Sequence, residues 1–234
     1  MGTVAVFGVG PGLGLSVAHR FGREGHRVAL VSRTPDRHAG YLGSLADAGI
    51  EADAFVADVR DRAQLAAAVD AIGARFGSPD IVYYGPAALD PADRPAPITQ
   101  ADSDSVRTAM SWVYAAVDLV GLVLPGMVER GEGGLLFAGG LSSVVPMPAL
   151  GNLALSSAAL RNYAVTLNAA LAGQGVYAGT LTIGGLIERG DIHRFMSAQA
   201  TGGLPILDPD DLADAAWELY TKRDRAEAVF NALT

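Results

Sequence analysis

Thr3-Val4-Ala5-Val6-Phe7-Gly8-Val9-Gly10-Pro11-Gly12-Leu13-Gly14 is the stretch that decides the fold. Thr3 to Phe7 is an apolar, β-branched run that reads as a buried strand, and it breaks into glycines directly before a helical stretch from Leu15 to Arg23. Strand, glycine turn and helix in that order bring backbone N–H groups and the positive end of a helix dipole to one point. No side chain on the turn then blocks an approaching pyrophosphate. Gly8, Gly10, Gly12, Leu13 and Gly14 are therefore nominated as a dinucleotide cradle.

Outward from the turn, a second strand, Arg27 to Val31, ends at Ser32-Arg33, where the adenosine ribose of a dinucleotide would lie. An acidic residue there would grip a 2′-hydroxyl, whereas the planar fork of Arg33 suits a 2′-phosphate. NADP(H) is expected over NAD(H).

The alternation continues along the chain: a helix over Asp36 to Ala48, a strand over Ala52 to Val56, an alanine-rich helix over Asp61 to Phe76 capped by its aspartate, and a strand over Asp80 to Tyr84. A Pro-rich stretch from Gly85 through Pro97 reads as an ordered or semi-rigid surface loop. A long helix over Ser103 to Arg130 then leads to a strand over Leu135 to Ala138, a loop, a helix over Leu153 to Ala172 and a strand over Val176 to Ile183. A mobile-looking segment, Leu186 to Pro205, precedes a helix over Pro209 to Tyr220 and a short strand over Ala228 to Asn231. Strands alternating with helices predict an α/β fold, a Rossmann-like doubly wound parallel sheet with ligands at the carboxyl ends of its strands.

Bulk composition narrows the classes. The 234 residues, 50% hydrophobic, suffice for one substantial core, so residues 1–234 are expected to form a single domain. A formal net charge of -8 offers no basic footprint for nucleic acid. The absence of cysteine excludes disulfides and thiolate catalysis. His19, His26 and His38 read as surface or capping residues, His193 stays open, and the four together have no metal-ligand spacing. No stretch reads as long and apolar enough to cross a bilayer, and no charged leader precedes the first strand, so no membrane partner and a cytoplasmic location are expected.

The chain resembles the short-chain dehydrogenase/reductase family over nearly its full length. Gly8, Gly12 and Gly14 match that family's Gly-xxx-Gly-x-Gly loop, Asp58-Val59 its Asp-Val pair, and Leu124-Pro125-Gly126-Met127 the helix end before its central strand. Ser157-Ala158-Ala159-Leu160-Arg161-Asn162 is similar to its Ser-Lys-Ala-Ala-Leu-x-Asn stretch, with Ser157 at the lysine position. The resemblance implies that Asp58 and Val59 contact the adenine and that Gly85 and Pro86 face the cofactor. It also implies that the helices Ser103 to Arg130 and Leu153 to Ala172 pair between copies as a homodimer or homotetramer.

In the same frame the catalytic tyrosine falls on Leu153, the serine near Gly140 and the helix asparagine near Ser111 or Trp112. Asn-Asn-Ala-Gly becomes Tyr84-Gly85-Pro86-Ala87, and the later Pro-Gly becomes Ile183-Gly184. The chain's only lysine, Lys222, lies far downstream. In the family the lysine lowers the tyrosine pKa for the proton step that accompanies hydride transfer, which leucine cannot do. Ser142, Ser157 and His193 are the candidates for a relocated catalytic group. Gly140, Ser143, Asn152, Leu153 and Tyr84 are the expected substrate pocket; Ser143, Asn152, Ser156 and Tyr84 also stay open as a relocated acid, and Glu188, like His193, as an acid or base from the segment corresponding to the family's substrate loop.

Three functions fit these residues. The first is an NADP(H)-dependent oxidoreductase acting on a small molecule that needs little acid assistance, such as an iminium ion or a conjugated enone. The second is a non-redox isomerase, cyclase or dehydratase-like enzyme on the same scaffold, and the third a catalytically silent nucleotide-binding partner.

Overall fold

The computed structural model describes residues 2–87, 93–198 and 203–233. Part of the Pro-rich loop, residues 88–92, and part of the 186–205 segment, residues 199–202, lie outside the described residues.

Five strands alternate with the first helices: β1 (Thr3–Phe7), α1 (Leu13–Arg23), β2 (Arg27–Ser32), α2 (His38–Asp47), β3 (Ala52–Val56), α3 (Arg62–Phe76), β4 (Ile81–Tyr84), α4 (Ser103–Arg130) and β5 (Gly133–Gly140). The chain continues through α5 (Gly151–Ala170), β6 (Val176–Gly184), β7 (Leu186–Ile187), α6 (Asp191–Ala198), β8 (Ile206–Leu207), α7 (Pro209–Lys222) and β9 (Glu227–Asn231). The main sheet has seven parallel strands in the order β3-β2-β1-β4-β5-β6-β9. Strand order reverses between β1 and β4, which opens a crevice at their carboxyl ends.

Helices cover both faces, so the inner strands are apolar without alternation; all five residues of β1 and all four of β4 are buried. One core packs α3, α4 and α5 on one face, with Phe7, Tyr84 and Phe137 at its centre. The other packs α1, α2 and α7 around Val4, Val6, Leu30 and Tyr83. Each such burial contributes about 1.5–3 kcal/mol of transfer free energy. The expected α/β doubly wound parallel sheet is found.

Local chemistry sets the helix ends. Asp61 accepts from the N–H groups of Ala63 at 2.9 Å and Gln64 at 3.1 Å, as its position before α3 suggests. Asp102 and Ser105 form a reciprocal capping box on α4, which stops at Gly131 with φ 65°.

Two expectations are corrected. The mobile-looking Leu186 to Pro205 segment contains β7 and α6, and β7 pairs in parallel with β8 just beyond its end. The membrane reading also missed α4, whose 28 residues include a window of mean hydropathy 1.6, long and apolar enough to span a bilayer by length and composition. Its apolar character has a packing cause: one side is buried against α3, α5 and the sheet, while Tyr114, Val117, Leu122 and Val128 on the other side are exposed.

Candidate functional site

The glycine turn works by close approach. Gly8 has φ +90°, and a Cβ there would lie 2.4 Å from the Pro86 Cα, so β1 and β4 can end side by side only with glycine. A Cβ on Gly14 would meet the Val9 Cα at 2.9 Å, and one on Gly12 would meet the Gly190 Cα and N at 3.1 Å. Gly10 has open space around its Cβ position. α1 has no side-chain cap and no acidic residue in its first turn, so the positive end of its dipole is left for an anionic ligand.

These residues border a cleft of about 730 Å³ at the carboxyl ends of β1, β2 and β4, within the size range of small-molecule and cofactor sites. Of the residues nominated from sequence, Gly8, Gly10, Gly12, Leu13, Gly14, Ser32, Arg33, Val59 and Gly85 line it. Asp58 and Pro86 do not. The Asp58 carboxylate instead accepts from the Arg60 N–H at 3.0 Å, leaving Ala57 and Val59 as the wall, and Pro86 packs on Gly8.

The β2 end carries the polar chemistry. Ser32, Arg33, Thr34 and Arg37 share the cleft wall. The Ser32 hydroxyl donates to the Thr34 carbonyl at 3.0 Å and lies 2.7 Å from His38 Nε2. His38 is only 8% exposed, which corrects the surface half of its reading as a surface or capping residue; burial holds its pKa below the ordinary histidine value. Across the cleft, Arg37 Nη1 meets Asp191 Oδ2 at 2.7 Å. That hydrogen bond raises the Arg37 pKa further. Burial pushes the Asp191 pKa up, but the hydrogen bonds from Arg37 and Arg194 outweigh it and hold the carboxyl below its usual range.

Deeper in, Trp112 joins Gly85 and Ala87 on the wall. The Arg60 guanidinium lies 4.3 Å from the Trp112 ring centroid and 3.2 Å from the carboxylate of Asp93, which is itself buried. This stack ties the third turn of α4 to the turn between β3 and α3.

At the end of β5, a Cβ on Gly140 would lie 3.3 Å from Ser142 Oγ and 3.4 Å from Ser157 Oγ, so two hydroxyls converge beside the glycine. Leu153 is half-buried in the first turn of α5, and Ser156 donates to its carbonyl at 3.1 Å. Ser143 Oγ and His193 Nδ1 are buried without a hydrogen-bond partner among the described residues.

Two expected pocket residues prove structural. Tyr84 is 1% exposed, its hydroxyl donates to the Trp112 carbonyl at 2.6 Å, and burial raises its pKa, so it is a core side chain rather than a pocket wall. Asn152 is 2% exposed; its Oδ1 accepts from the Ala96 N–H at 2.8 Å and its Nδ2 donates to the Arg94 carbonyl at 3.3 Å, which pins the Pro-rich loop. Lys222 pairs with Glu218 on α7, across the sheet from α5. Glu188 runs along the glycine turn, its carbonyl 3.2 Å from the Gly12 Cβ position.

Arg37, Trp112 and Asp191 were not nominated from sequence. Arg37 had a weak signal, since it follows Arg33 by four residues, and Trp112 had one as a place where the family's helix asparagine falls; Asp191 reaches the cleft only through the packing of a remote element.

Comparison with known proteins gives the same architecture. A family model described as short chain dehydrogenase matches residues 2–188. A Streptomyces coelicolor protein named "Putative ketoacyl reductase" is 35% identical over 134 residues, which are 55% of this chain and 49% of that protein. The chain's match thus spans about half the length of that relative. The 2-(S)-hydroxypropyl-CoM dehydrogenase 3 of Xanthobacter autotrophicus is 26% identical over 98% of this chain and 92% of its own length. Among solved structures, L-sorbose reductase from Gluconobacter frateurii, complexed with NADPH and L-sorbose, superposes with a TM-score of 0.82 at 22% identity, covering 98% of this chain and 95% of that one. A metagenomic short-chain oxidoreductase in complex with NADP gives 0.80 at 18% identity, covering 99% and 97%.

Proposed function

The chain belongs to the short-chain dehydrogenase family, and from that premise we propose that it is an NADP(H)-dependent oxidoreductase whose small-molecule substrate is activated before it arrives, an iminium ion or a conjugated enone. The observation that carries this is the pairing of a fitted cofactor cleft with Leu153 and Ser157 at the places where the family frame sets its tyrosine and lysine. The cleft fits the cofactor: the first turn of α1 is unblocked, Gly10 faces open space, and Ser32, Arg33 and Thr34 stand where a 2′-phosphate would lie. NADP(H) in the two solved relatives supports the same cofactor here.

When bound, a reduced nicotinamide supplies the hydride. The protein's own residues would orient the partners and exclude water. In place of the family's tyrosine and lysine stand Leu153 and Ser157, which offer no phenol of lowered pKa. Ser142 and Ser157, converging beside Gly140, can donate hydrogen bonds to a substrate heteroatom. Neutral hydroxyls polarise an acceptor without protonating it strongly, which suits a substrate that is already electrophilic.

Titration of the protein with NADP⁺ and NAD⁺ tests the cofactor reading. Tighter binding of NADP⁺, by about the 1.5–3 kcal/mol of a charge-assisted contact, supports it. That preference should shrink in Arg33→Gln. Equal affinities in the unaltered protein would remove the claim.

A further inference from the structure

We propose that the Arg37–Asp191 ion pair is a latch undone by the 2′-phosphate of NADP(H), so that recognition of that phosphate releases α6 from the cleft; the inference rests on the cofactor reading above. The two residues are 154 positions apart in sequence and face each other across the cleft, Arg37 as the cap of α2 and Asp191 as the first residue of α6. One phosphate at the β2 end would attract Arg37 and repel Asp191.

The surrounding geometry suits a hinged element. Just before α6, Arg189 has φ 64°, a left-handed conformation costly for a residue with a side chain. Its guanidinium is anchored by Asp210 at 2.9 Å, Ser16 at 3.3 Å and Asp208 at 3.4 Å, which ties this point to α1 and α7. Gly190 follows, lying against Gly12 of the glycine turn. Beyond it, none of the eight residues of α6 is buried, and Ile192 and Phe195 are each 43% exposed. A fixed anchor, a glycine and a thinly packed helix are thus joined in sequence, with the Arg37 contact on Asp191 at the hinge end of that helix.

The swap also leaves no charge stranded. The side chains of Arg37 and Asp191 are 53% and 40% exposed, so their pair is weak, whereas a phosphate dianion offers a guanidinium two charge-assisted hydrogen bonds. Asp191 keeps Arg194, 2.6 Å away on its own helix, once Arg37 turns to the phosphate. NAD(H) presents a neutral hydroxyl at the same point and has nothing with which to displace the carboxylate. The latch would therefore add to the cofactor preference and couple it to access at the substrate end.

Amide hydrogen exchange over residues 191–198, with binding titrations on the full chain, tests this. Saturating NADP⁺ should speed exchange in α6 several-fold, and saturating NAD⁺ should leave it unchanged. Asp191→Asn should show the fast exchange without any cofactor and bind NADP⁺ about tenfold more tightly, with NAD⁺ unaltered. Arg37→Gln should weaken NADP⁺ and abolish its effect on α6. If both cofactors bind but alter α6 alike, or if Asp191→Asn shifts both affinities equally, the latch is overturned and the cofactor reading stands. If the unaltered protein binds neither dinucleotide, both are overturned.

Discussion

At the residue scale the glycines of one turn have separable duties. Gly8 and Gly14 face backbone, Gly12 faces the 188–190 segment, and Gly10 faces the cleft. Gly8→Ala should therefore destabilise the fold by about 2–4 kcal/mol, from an unfavourable φ and a Cβ driven into Pro86. Gly12→Val should keep the circular dichroism of the parent while weakening dinucleotide binding about tenfold or more, since its branches must displace Gly190 or intrude on the cleft. Chemical denaturation of the first and titration of the second check the pair; a Gly12→Val protein that binds normally would mark this glycine as a packing residue alone. Trp112 offers an independent reporter. It lines the cleft, whereas Trp217 packs on Phe21 and Arg20 on the other face of the sheet. In a Trp217→Phe protein, bound NADPH should quench the remaining tryptophan emission, and unchanged emission at saturation would place the cofactor elsewhere.

At the element scale, what could be read in advance followed the strength of each local signal. The β1–turn–α1 unit was legible because five buried residues, four of them apolar, run straight into glycines whose chemistry is specific, although α1 begins at Leu13, two residues before the periodic run suggests. β7 and β8 were not, because two-residue strands have no period, whereas α6 carries a helical spacing in Ile192, Phe195 and Met196 that the reading of this segment did not use. Tyr84 was misassigned for a related reason: a strand buried on both faces shows no alternation, so sequence cannot tell which side chain turns toward α4 and which toward the crevice. Asn152 gave no hint that its amide holds a loop more than fifty residues away. The histidines supply an element-level prediction. His19, His26 and His38 all have pKa values lowered first by burial, so the unfolded chain binds more protons than the folded one as pH falls below about 6.5. Their contribution is fully present above that pH and is lost on acidification, ahead of the carboxylates Asp191, Asp210 and Glu227, whose lowered pKa values act below about 4. The melting temperature should fall between pH 7.5 and 5.5, and fall less in His26→Gln/His38→Gln; an equal slope in that variant would contradict the assignment.

At the scale of the whole molecule, the exposed side of α4 is the feature the single chain leaves unresolved. Tyr114, Val117, Leu122 and Val128 form an exposed apolar stripe, and Leu155 on α5 is 46% exposed. We propose that a second copy covers this surface, as the family resemblance implies. Light scattering at micromolar concentration should give a dimer or tetramer, and Tyr114→Glu/Leu122→Glu should shift it toward monomer by placing unpaired charge in the interface. A monomeric parent protein would refute the pairing.

Following NADPH consumption with three substrate classes side by side tests most directly whether the NADP(H) cleft serves a substrate that needs no acid at the Leu153 and Ser157 positions. General acid catalysis contributes typically about 10²- to 10⁴-fold, so a preformed iminium ion or an activated enone should be reduced while simple ketones turn over slower by roughly that factor. Efficient reduction of simple ketones by the unaltered protein, lost on replacing Ser142 or Ser157 without loss of NADPH binding, would show a full proton donor at that site and contradict the claim.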